Sequence, residues 1–115
     1  KQDRIKLGIQ IANFIKIISK QKINVIYNAI AMFKEIRKQH RKNFVNYVEV
    51  YLKTDLKKAA QNKNKIYQKK KKDIIGKDIK PDYPKNSNIV IKNSENKTLE
   101  SLKKDFVKKF DKIYT

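Results

Sequence analysis

The chain has 115 residues, with 30 Lys and Arg against 11 Asp and Glu, for a net charge of +19. It contains no Cys, so disulfides, thiolate metal sites and cysteine nucleophiles are excluded within it. No run of 18 apolar residues occurs, which argues against a membrane-spanning helix.

Lys (27), Ile (17) and Asn (11) dominate, and only Arg4, Arg37 and Arg41 are Arg. AT-rich coding explains Lys in place of Arg. It explains the shortage of acids less well, and a polyanionic partner explains that shortage directly. The length predicts one domain with a modest core.

In residues 3–21, Ile5, Leu7, Ile9 and Ile11 alternate as in a strand, whereas Ile11, Phe14, Ile15 and Ile18 follow helical spacing. The pattern outruns a normal strand, so a helix is favoured, capped by Asp3 and expected to be the most buried element. Gly8 within it weakens that expectation. Residues 24–40 predict a second helix with the stripe Ile26, Ala29, Ile30, Phe33 and Ile36, and with Asn24 as its cap. Residues 43–60 predict a third, with Phe44, Tyr47, Val48, Tyr51, Leu52, Leu56 and Ala59 on adjoining stripes, extending to about Lys72.

Residues 74–97 hold Gly76, Pro81 and Pro84 and read as an extended surface connector. Within it, 88–91 could form one short strand with no evident partner. Residues 98–114 predict a clean amphipathic helix capped by Thr98, with Leu99, Leu102, Phe106, Phe110 and Ile113 as a protein-docking stripe. The expected fold is all-α, with three to four amphipathic helices. It divides into a basic helical domain (1–73), a linker (74–97) and a C-terminal helix (98–115).

Two basic clusters are candidate nucleic-acid contacts. The first comprises Lys34, Arg37, Lys38, Arg41 and Lys42, with His40 among them as a surface or phosphate-contacting residue. The second spans 57–72 without an acid: Lys57, Lys58, Lys63, Lys65, Lys69, Lys70, Lys71 and Lys72, with Tyr67 placed to stack on a base. Residues 29–67 faintly resemble an HMG-box in Ala29–Phe33, the basic run 37–42, and Leu56 eleven residues before Tyr67. They lack that family's Trp and its Pro before the first helix, and the connection between the helices is shortened, so the resemblance is not adopted.

Enzyme signatures are missing. Gly8 and Gly76 cannot form a Gly-rich phosphate loop, the serines have no nucleophile context, and the acids are scattered. One His without a second His or a Cys holds no metal, and no cofactor is expected. These features predict a non-catalytic intracellular protein that binds nucleic acid, with RNA in a ribosome-like assembly favoured over DNA and with other proteins of that assembly as partners. The alternative is a structural subunit that docks on acidic protein or anionic lipid.

Overall fold

The computed structural model describes residues 1–30, 33–54, 79–94 and 96–115. Their elements, in order, are α1 (Gln2–Lys20), α2 (Lys34–Asn43), β1 (Val50–Thr54), β2 (Ile89–Asn93) and α3 (Leu99–Tyr114). α1 and α2 belong to one compact unit; β1, β2 and α3 belong to a second.

In the first unit α1 forms where a helix is expected. It ends where Lys22 takes a left-handed φ of 61° and the amides of Gln21 and Lys22 bond back to Ile18 and Ser19. It is not deeply buried: Ile5, Gly8 and Ala12 are its fully buried residues, while Phe14 and Ile17 are both 63% exposed. The core of this unit is Ile5, Phe33 and Ile36, with Ile9 and Ile79 against it. Gly8 has a packing reason, because a Cβ there would collide with Ile36 Cδ1 of α2.

The second helix starts ten residues later than expected, at Lys34 instead of Asn24. Residues 23–30 adopt no regular structure and are all exposed, Ile26 almost completely. Ile23, Val25, Ile26 and Tyr27 are β-branched or aromatic and disfavour a helix that no packing supports.

In the second unit the all-α expectation fails. Val50–Thr54, expected within the third helix, is a strand, and it pairs in parallel with Ile89–Asn93. The register sets Val50 against Ile89, Tyr51 against Val90, Leu52 against Ile91, Lys53 against Lys92 and Thr54 against Asn93. Val48, Val50 and Tyr51 suit a pleated strand, and the pairing with β2 outweighs the helical spacing. The 74–97 connector is likewise more than a surface linker, since Ile89 and Ile91 are buried. Its suspected lone strand has the partner that the helical reading of 43–60 concealed.

Glu49 ties the start of the pair together. Its backbone N–H donates to Asn88 Oδ1 at 2.8 Å, its carbonyl accepts from the Ile89 N–H at 3.1 Å, and its buried carboxylate accepts from Ser87 Oγ at 2.8 Å. α3 follows and packs on β2. Thr98 caps it as expected, its hydroxyl accepting from the Ser101 N–H at 3.2 Å.

Candidate functional site

Concavity in the first unit lies between α1, the segment before α2 and α2 itself. A groove of about 170 Å³ is lined by Leu7, Gly8 and Ile11 of α1, by Tyr27, Ala29 and Ile30, and by Phe33 and Ile36. Arg4, one turn before Gly8 on α1, supplies its only cation among the described residues. Gly8 is what lets α2 approach closely enough to close the floor at Ile36. The lining is apolar apart from the one guanidinium, and the groove is smaller than the roughly 300–1,000 Å³ of usual small-molecule pockets. Sequence reasoning passed over this group, because Arg4 and Ile30 are 26 positions apart and share no local pattern.

The basic cluster on α2 is divided by burial. Lys34, Lys38, Arg41 and Lys42 are exposed, but Arg37 is buried. His40 is buried too, not on the surface: the rings of Tyr27, Phe44 and Tyr47 stand edge-on to it at 5.8–6.0 Å. Packing, not phosphate contact, explains its position. The second cluster, Lys57 to Lys72 with Tyr67, lies outside the described residues.

On α3 the expected docking stripe is split lengthwise. Leu102 and Phe106 are half-buried, together with Asp105 and Lys109, on the side facing β2. Leu99 is 83% exposed, and Phe110 and Ile113 are at least one-third exposed. Phe106, Phe110 and Tyr114 form an aromatic ladder with centroid spacings of 5.6 and 4.9 Å. Among the described residues there is no cluster of His, Cys, Asp or Glu able to hold a metal, and no helix long and apolar enough to cross a membrane.

Comparison with known proteins changes the functional class. Residues 1–92 match the family described as adenylylsulphate kinase. The chain is also 33% identical over 114 residues to the cytidine diphosphoramidate kinase of Campylobacter jejuni. That match covers 95% of this chain and 66% of the relative, so the chain spans just under two thirds of the relative's length. No solved structure matches the chain.

The nucleic-acid reading is overturned by these matches, and with it the ribosomal, DNA-binding and non-catalytic expectations. The positive charge that suggested a polynucleotide is equally suited to small anions carrying several phosphates. The faint likeness to an HMG-box has no counterpart in the matches. A P-loop kinase fold is α/β, in agreement with the parallel strand pair. The chain belongs to the adenylylsulphate kinase family.

Proposed function

We propose that this chain is the acceptor-binding part of a kinase that phosphorylates a small nucleotide-like anion, of the adenylylsulphate or cytidine diphosphoramidate kind. The match of residues 1–92 to the family carries this reading. In the reaction an acceptor hydroxyl attacks the terminal phosphorus of a nucleoside triphosphate. A new P–O bond forms, the bridging P–O bond breaks, the nucleoside diphosphate leaves, and the hydroxyl proton is lost.

Both candidate acceptors combine a flat base with an anionic tail, and the first-unit groove offers a counterpart to each. In this reading the base is assigned to the apolar side chains Leu7, Ile11 and Ile30 of the groove lining, and the tail to Arg4. A guanidinium holds such a tail by two parallel N–H donors. The exposed cations Lys34, Lys38, Arg41 and Lys42 add a positive field that draws polyanionic nucleotides in.

Calorimetric titration of the chain with each acceptor tests this directly. Binding of one of the two is expected, weakened about tenfold or more by Arg4→Ala, the usual scale for a charged hydrogen bond. If neither acceptor binds, or if Arg4→Ala binds as tightly as the parent, the groove is not the acceptor site.

A further inference from the structure

Lys makes up 27 of the 115 residues, so an exposed lysine alone signifies nothing. Position in the strand pair singles out two of them. The register sets Lys53 of β1 directly against Lys92 of β2. Their Cα atoms are neighbours across one strand spacing, about 4.8 Å, and their side chains leave the same face of the pair. Both are exposed. Among the described residues neither ammonium has a hydrogen bond or an ion pair, in contrast to Lys109, which bonds Asp105 and the Val90 carbonyl.

Two like charges on opposed positions work against the pairing of the strands that carry them. In a chain of net charge +19 the remaining field only adds to that repulsion. An anion held between the two ammonium groups removes it, and the anion's own charge is met from both sides.

The pair also stands at a particular end of the sheet. Lys53 and Lys92 are the last but one residues of Val50–Thr54 and Ile89–Asn93, and the strands run parallel. Both therefore lie at the carboxyl end, where open α/β sheets bind ligands. An ammonium is a compact point charge suited to phosphate oxygens, and two side by side can engage neighbouring oxygens of one phosphate chain. Two residues back on the same face, half-buried Tyr51 stands against Val90, which is 37% exposed. That apolar step is about 6.6 Å from the lysines along the strands. A base joined to the held phosphates can lie on it, which favours a nucleotide over a free polyphosphate.

We propose that Lys53 and Lys92 form a two-pronged clamp for the phosphate chain of a nucleotide on the exposed face of the β1–β2 pair. The proposal rests on the kinase reading for the kind of anion alone; the clamp itself rests on register, exposure and charge.

Calorimetric titration of the 115-residue chain with sodium tripolyphosphate, at an ionic strength held constant by sodium chloride, should give saturable binding. Amide NMR shifts should move most at Lys53, Thr54, Lys92 and Asn93. Lys53→Gln and Lys92→Gln should each weaken binding about tenfold or more, and the double variant should lose little beyond either single one, since one prong without the other is no clamp. Removing either lysine relieves cross-strand repulsion, so the variants should melt no lower than the parent, and their loss of binding is not loss of fold. Lys103→Gln combined with Lys104→Gln removes the same charge from the exposed side of α3 and should leave binding within about twofold of the parent. ATP or CTP should bind more tightly than tripolyphosphate.

Absence of saturable binding overturns the proposal, as does a folded double variant that binds tripolyphosphate as tightly as the parent. An equal loss in the α3 control overturns it in favour of net charge alone. Equal affinity for the nucleotides and tripolyphosphate overturns the nucleotide as the source of the phosphates and assigns the clamp to a free polyphosphate. A missing clamp beside acceptor binding that still depends on Arg4 removes this proposal alone, and an intact clamp in a chain that binds neither acceptor removes the groove assignment alone.

Discussion

Lys109 Nζ lies 2.8 Å from the Val90 carbonyl oxygen and 2.8 Å from Asp105 Oδ2, so one ammonium joins α3 to β2 while also bonding its own helix. The Val90 carbonyl points away from β1, and the lysine occupies the position that a further strand would need. Lys109→Met should cost about 1 kcal/mol in chemical denaturation, the usual net value of such a bond. The Asp105 carboxyl is held below the usual carboxylate range, first by the hydrogen bond from Lys109 and then by the surrounding lysines. A carboxyl with a depressed folded value stabilises the fold above its unfolded value, and that contribution fades as pH falls through the folded value. In Lys109→Met the Asp105 titration should move up toward the ordinary range; an unmoved NMR midpoint would show that the lysine is not its cause.

The close approach of α1 and α2 makes Gly8 sensitive to one added carbon. Gly8→Ala should destabilise the chain by about 1–2 kcal/mol, because the overpacking against Ile36 exceeds the gain in helix propensity. Adding Ile36→Val removes the colliding Cδ1 and should recover part of that loss. Thermal melts of the two single variants and the double variant form the cycle, and strict additivity would count against contact between the two positions.

Ser87 holds the buried Glu49 carboxylate at the start of the strand pair. Ser87→Ala should lose about 1.5 kcal/mol, the low end for a hydrogen bond to a charged group. Exchange of the Ile89 amide, which bonds to the Glu49 carbonyl, should quicken with it. A stability loss that leaves Ile89 as protected as before would mean that the serine acts elsewhere.

Lys53 and Lys92 face each other across the pair, and both are exposed. Like charges directly opposite oppose pairing, so Lys92→Glu should stabilise the fold by about 0.2–1 kcal/mol, with the gain shrinking at high salt. Urea denaturation at two ionic strengths reads both parts. A destabilised Lys92→Glu chain would contradict the register as described.

Phe106 is half-buried between α3 and the sheet rather than enclosed in a core. Phe106→Ala should therefore cost about 2 kcal/mol, below the 3–5 kcal/mol of a fully buried ring. Leu99→Ala, on the exposed side of the same stripe, should change stability by less than about 0.5 kcal/mol. Denaturation midpoints of the two variants separate the covered half of the stripe from the bare half.

By itself the sequence determined α3, because its apolar residues recur at helical spacing and Thr98 caps its start. It favoured a helix for α1 but left 5–11 open to a strand, and the expected cap Asp3 lies inside the first turn, with Lys1 at the cap position. It also raised the Ile89–Ile91 strand, but without a partner. The partner was decided by tertiary structure. Phe44, Tyr47, Val48, Tyr51 and Leu52 fit a helical stripe equally well, and only pairing with residues 39 positions away makes Val50–Thr54 a strand. The two basic clusters stood out because charge is visible one residue at a time. Burial is not, and the fold places Arg37 and His40 inside while Lys34 and Lys38 stay in solvent. The groove is likewise a tertiary property: Arg4, Gly8, Ile30 and Ile36 acquire a common surface only when α2 packs against Gly8. Local periodicity encodes which segments become helices, whereas a parallel strand pair and a ligand groove are made by contacts between distant segments, whose free energy no single stretch of sequence displays.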